Sequence, residues 1–145
     1  MAEPSIPNTR PDPHSYFRTD QPRLTHVEWT ASVGFTAEMS GSMTEPARER
    51  TLECIALLTF DRSGVVDLDT RDLEILRISS SIIGEPLAYE LAPSEPVIGS
   101  RLRVTMPDGV TTIGITYRTS PNASALQWLT PEQTAGKRHP FLFSQ

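Results

Sequence analysis

Leu24–Thr36, LTHVEWTASVGFT, decides the fold, because apolar and polar residues alternate along it with a period of two. Val27, Trp29, Ala31, Val33 and Phe35 point one way, and His26, Glu28, Thr30 and Ser32 the other. Successive strand residues project to opposite faces, so the run predicts a strand with one face in a core and the other in water. His26 reads as a solvated strand residue, since no second ligand stands at a metal-site spacing from it.

Working outward, Ala37–Arg50 is polar, contains Gly41 and Pro46, and reads as a long hairpin connection into Thr51–Phe60. There Leu52, Cys54, Ala56, Leu58 and Phe60 share a face, but Ile55 and Leu57 make the other face apolar too. That pattern predicts a strand covered on both sides. Val65–Asp69, Leu73–Ser79, Leu87–Leu91, Arg101–Met106 and Val110–Arg118 follow as short strands, the last two forming an antiparallel hairpin around Pro107-Asp108-Gly109. About seven strands at short spacing, with almost no helical periodicity, predict an all-β, mostly antiparallel sandwich or saddle.

Residues 1–22 hold five prolines, at positions 4, 7, 11, 13 and 22, which fix φ and remove backbone donors. They predict an extended arm, with Tyr16 and Phe17 available to anchor it to a β-domain over 23–145. The whole chain, 145 residues with 37% hydrophobic and 21% charged side chains, is of single-domain length and composition. Its net charge of −5 and the absence of a basic face argue against nucleic-acid binding. No run of apolar residues is long enough to span a membrane. The lone Cys54 has no partner for an internal disulfide, and the N-terminus shows no charged leader followed by an apolar run, so a reduced, cytoplasmic protein is expected. Cys54 itself reads as a small buried side chain.

The last stretch, Ser120–Gln145, is SPNASALQWLTPEQTAGKRHPFLFSQ. Trp128 and Leu129 supply apolar area, Thr130 to Gln133 reads as a capping box with Pro131 at the first helical position, and Gly136 can end the element. One short helical turn near 130–135 is therefore predicted. Asn122-Ala123-Ser124 has the form of a glycosylation acceptor but is most simply a turn.

The run Ser124-Ala125-Leu126-Gln127-Trp128-Leu129-Thr130-Pro131-Glu132-Gln133-Thr134, then Gly136-Lys137 and His139-Pro140-Phe141-Leu142-Phe143-Ser144-Gln145, resembles the N-terminal domain of zinc aminopeptidases of the leukotriene epoxide hydrolase branch. Asp12-Pro13-His14-Ser15, Leu68-Asp69-Thr70-Arg71-Asp72-Leu73 and Gly84-Glu85-Pro86-Leu87-Ala88-Tyr89 fit the same branch. The resemblance implies a saddle-like β-domain, a zinc cofactor in the full-length enzyme, a C-terminal catalytic domain as partner and peptides as substrates. It also implies that 23–145 is an incomplete N-terminal domain, because the family continues into peptide-binding and zinc-binding segments. At the position of Gln145 the family begins a segment that helps hold the peptide. A side-chain amide suits that role by offering both a donor and an acceptor.

A metallopeptidase of this type needs two histidines one helical turn apart, a Glu between them as general base, and a third ligand. His14, His26 and His139 lie far apart in sequence, so neither metal ligands nor catalytic residues are expected in this chain. Asp12-Pro13-His14-Ser15 is adjacency along an arm, and no Gly-x-Ser-x-Gly elbow or Gly-x-Gly phosphate loop exists. Gln133 and Gln127 read as structural, the first as a capping partner. The expected role is a non-catalytic scaffold that caps the active site; the alternative is a standalone β-sandwich interaction module. Phe141 and Phe143, if left without strand partners, would invite self-association.

Overall fold

The computed structural model describes residues 11–34 and 50–144. Nine strands run through them: β1 Leu24–Gly34, β2 Thr51–Phe60, β3 Gly64–Thr70, β4 Leu73–Ser79, β5 Ala88–Leu91, β6 Ser100–Met106, β7 Thr112–Thr119, β8 Leu126–Leu129 and β9 Phe141–Ser144. They form a four-stranded sheet in the order β1-β2-β7-β4, a three-stranded sheet in the order β3-β6-β5, and a β8-β9 ribbon. Every pairing is antiparallel. The expected all-β architecture is present, with two strands more than the alternation gave. Both belong to the β8-β9 ribbon, where four-residue strands are too short for a period-two signal to stand out.

The two larger sheets pack face to face. Phe60, Ile78, Ile113 and Ile115 from one meet Val66, Leu102, Val104 and Met106 from the other, with Leu87 at the margin. Register explains why these residues turn inward. Leu58 pairs with Ile113 and Ala56 with Ile115 across β2 and β7, while Val66 pairs with Val104 and Leu68 with Leu102 across β3 and β6. Same-face neighbours on paired strands are therefore apolar together.

The β4 sequence, with apolar residues on both sides of its alternation, is resolved by a bulge. The register shifts between Ile75 and Arg77, so Ile75 pairs with Tyr117, and Ile78 pairs with Ile115 on the same inward face. Leu76 is left exposed as the extra residue.

A different correction concerns Arg101–Met106 and Val110–Arg118, which do not form a hairpin. β6 pairs with β3 and β5, whereas β7 pairs with β2 and β4. The turn at Pro107-Asp108-Gly109 carries the chain from one sheet to the other, and Thr111 accepts a hydrogen bond from Phe60 N at 2.8 Å as it joins the second sheet. Both strands can then bury an apolar face against each other across the sandwich, which a hairpin within one sheet would not allow.

Where the loop after β4 crosses the outer side of β7, Gly114 leaves it room. A Cβ there would lie 2.5 Å from the Ser81 carbonyl oxygen. Gly114→Ala is expected to displace that loop and to lower stability by roughly 1–3 kcal/mol, read as a lower urea midpoint with an unchanged slope.

On the outer side of the smaller sheet the arm is fixed in place. Tyr16 is buried and its hydroxyl donates to the Gly99 carbonyl at 3.0 Å; Phe17, by contrast, is exposed. Gln21 docks on β3 as a strand residue would: its Nε2 donates to the Asp67 carbonyl at 3.2 Å, and its Oε1 accepts from Asp67 N at 3.1 Å. The side amide thus occupies backbone groups that β3 would otherwise leave open at the sheet edge. Asp67 ties the assembly together. Its carboxylate is buried and receives Arg103 through Nε at 2.7 Å and Nη2 at 2.9 Å, with Arg18 Nε at 2.8 Å. Burial alone would push the Asp67 carboxyl up, but the Arg103 hydrogen bonds and the charges of Arg103, Arg18 and Arg101 hold it below the ordinary carboxylate value.

Candidate apolar groove beside the last strand

The inward-facing apolar stripe of β1 is only partly covered. Trp29 is 54% exposed, and Val27 and Val33 are similarly open, because β1 is the edge of its sheet and the smaller sheet does not reach across to it. The expectation of a core face on this strand is corrected accordingly. Phe35 and most of the Ala37–Arg50 connection lie outside the described residues.

Between that stripe and the β8-β9 ribbon runs an apolar groove of about 620 Å³. Trp29 and Val33 of β1, Leu52 and Cys54 of β2, and Tyr117 of β7 form its floor, and Leu126 of β8 and Leu142 of β9 its opposite wall. The ribbon is held by Leu126 pairing with Ser144 and Trp128 with Leu142. A 3₁₀ turn at Pro131–Gln133 links its strands, and Thr130 N donates to Gln133 Oε1 at 2.9 Å, so Gln133 serves as the capping partner. The turn spans three residues rather than the six of 130–135.

The polar groups in the groove are few. Trp29 Nε1 donates to Tyr117 Oη at 2.9 Å. Burial pushes the Tyr117 phenol up, with the Trp29 hydrogen bond acting against it. Cys54, 1% exposed, is likewise pushed up by burial against hydrogen bonding with Tyr117 and Trp29. A phenol and a thiol raised from values already above neutrality stay protonated at pH 7 and supply neither nucleophile nor base. Next to the groove lies a second, more polar cavity of about 590 Å³, where Arg118 pairs with Glu53 at 2.9 Å and with Glu74 at 3.4 Å.

The residues singled out in the sequence fall unevenly around this groove. Gln145 lies outside the described residues; its neighbour Ser144 pairs with Leu126 and lines the groove. Gln127 is exposed opposite Phe143. His14, His26 and His139 are all exposed, on the arm, on β1 and before β9. Among the described residues no group of three His, Cys, Asp or Glu side chains is placed to hold a metal ion. Nor is any helix among them long and apolar enough to cross a membrane. Sequence reasoning did not single out Trp29, Cys54 and Tyr117 as one cluster. They lie on three strands, and only the β1-β2-β7 register makes them neighbours.

No protein-family model matches the chain. Leukotriene A-4 hydrolase of Xenopus laevis is 32% identical over 139 residues, which are 92% of this chain and 21% of that protein. Leucine aminopeptidase 2 of Neosartorya fischeri is 28% identical over 148 residues, 98% of this chain and 22% of that one. Among solved structures, native yeast LTA4 hydrolase superposes with a TM-score of 0.69 at 24% identity, covering 99% of this chain and 21% of the enzyme. The same yeast enzyme in complex with bestatin gives a TM-score of 0.71 at 23% identity, with 99% and 21% covered. The chain thus spans about a fifth of the length of the curated relatives it matches.

Proposed function

We propose that this chain, a homologue of leukotriene A-4 hydrolase and leucine aminopeptidase 2 by sequence and fold, is the N-terminal scaffolding and substrate-capping domain of a zinc aminopeptidase that releases N-terminal residues from peptides. The observation that carries the reading is the match itself: nearly all of this chain against about a fifth of each relative. In that reading residues 1–22 are an arm, 23–145 are the domain, and the catalytic domain is the partner against which it packs. Zinc, which activates the water that attacks the peptide bond, belongs to that partner. The enzyme works in the cytoplasm.

This chain's own contribution is to position and enclose. Gln145 presents a donor and an acceptor to the backbone of the bound peptide. The β8-β9 ribbon is set by its pairing and by the Thr130–Gln133 cap. A wall that excludes water strengthens the polar interactions formed inside the cleft. The chain alone carries no chemistry. Purified by itself, it is expected to contain no stoichiometric zinc and to cleave no aminopeptidase substrate. Peptidase activity above that of an equally purified, heat-inactivated sample would overturn the non-catalytic assignment.

One observation favours a second reading, a free-standing interaction module: β1 offers a long sheet edge of the kind that accepts a strand from another polypeptide.

A further inference from the structure

We infer that two copies of this chain associate through β1, pairing antiparallel about a twofold axis at Trp29 to join two four-stranded sheets into one.

β1 is the outermost strand of its sheet, bonded to β2 on one side only among the described residues. At 11 residues it is the longest of the nine strands, and its sequence, LTHVEWTASVG, holds no proline and no lysine or arginine. Proline and lysine are among the devices that keep sheet edges from pairing; the one irregularity of β1, a register shift between Leu24 and His26, lies at its start and leaves His26–Gly34 as a regular edge that can template another strand. Among the other edge strands, β9 with its exposed Phe141 and Phe143 is four residues long in a two-stranded ribbon and offers far less.

A second copy suits this edge because β1 is compatible with itself. In an antiparallel pairing centred on Trp29, His26 faces Ser32 of the second copy, Val27 faces Ala31, Glu28 faces Thr30 and Trp29 faces Trp29. The seven residues His26–Ser32, clear of the register shift between Leu24 and His26, carry this pairing. Odd positions meet odd positions, so the half-exposed Val27, Trp29 and Val33 of both copies fall on one face, and the two apolar grooves become continuous. Glu28 is the only charged side chain of the strand besides the titratable His26, and this register places it opposite a threonine rather than opposite itself. An aromatic pair at the centre adds to the strand hydrogen bonds. A single strand edge is a small interface, so the dimer is weak, with a Kd on the order of 10 µM.

Thr30 tests both the pairing and its register, since it is exposed on the polar face of β1 and faces Glu28 of the second copy. Thr30→Lys creates two symmetry-related opposite-charge pairs, and Thr30→Glu two like-charge pairs. Sedimentation equilibrium of the whole chain from about 1 to about 200 µM is expected to show a reversible monomer–dimer equilibrium for the unmodified protein. Dimerisation is expected to be roughly fivefold tighter in Thr30→Lys and roughly fivefold weaker in Thr30→Glu, with the far-ultraviolet circular dichroism of all three alike. A monomer throughout that range, or association that both variants leave unchanged or move in the same direction, overturns the proposal. Association with that insensitivity would place the contact elsewhere, for example at Phe141 and Phe143.

Discussion

Replacing Asp67 by Asn is expected to lower stability at pH 7 by about 2–3 kcal/mol, below the upper end for a broken buried ion pair because both arginines keep partial access to solvent. The carboxylate is only 2% exposed and balances two guanidinium groups, one from β6 and one from the arm. An amide keeps the shape but removes the charge shared by Arg103 and Arg18, and among the described residues leaves Arg18 with only its longer carboxylate contact, to Asp20 at 3.7 Å. The pH dependence follows from the direction of the shift. The Asp67 carboxyl titrates lower in the folded chain than in the unfolded one. Its contribution is therefore complete above the unfolded carboxylate value of about 3.9, and is lost as pH falls through the lower folded value. Urea unfolding of wild type and Asp67→Asn should differ by the full amount at pH 7 and converge as the pH is lowered past about 4. Equal midpoints at pH 7 would show that Asp67 does not bind the arm to the sheet.

The second large effect is expected in the core. Leu102 is fully buried at the centre of the three-stranded sheet, between Leu68 of β3 and Leu91 of β5, and faces the opposite sheet. Leu102→Ala removes methylene and methyl groups from a site whose neighbours are held by strands on both sides, so the cavity closes only in part. A loss of about 3 kcal/mol is expected, a large share of a total that is usually 5–15 kcal/mol. Ile83→Ala is the matching control. Ile83 is 88% exposed in the loop after β4, and its truncation is expected to change stability by less than about 0.5 kcal/mol. Comparable costs at the two positions would mean that the sandwich core does not lie where these residues place it.

The alternation in LTHVEWTASVG was enough to identify β1, because periodicity is a local property that one segment displays by itself. Whether the apolar face is covered is not local. It depends on how far the smaller sheet extends, and Trp29 stays half exposed because that sheet stops short. The same distinction separates the turn at Pro107-Asp108-Gly109, plainly readable, from the destination of the strands it joins, which is set by long-range pairing. The β4 bulge hid in an alternation that broke after Ile75, and it became readable only against the fixed pattern of β7. Asp67, in the run Val66-Asp67-Leu68-Asp69, has the pattern of a wet strand face; nothing in it announces an arm folding back over that carboxylate. For the site, the resemblance directed attention to the end of the chain. The groove beside Ser144 came from the register of strands widely separated in sequence.

The proposed role is tested most directly by complementation. The purified chain, shown to be folded by circular dichroism, is assayed for aminopeptidase activity alone and after mixing with the portion of the Xenopus leukotriene A-4 hydrolase that follows the matched region, loaded with zinc. Silence of each part alone and activity on mixing is the result expected of an N-terminal scaffolding domain. Continued silence on mixing, with the second portion holding its zinc and the chain folded, would contradict that assignment.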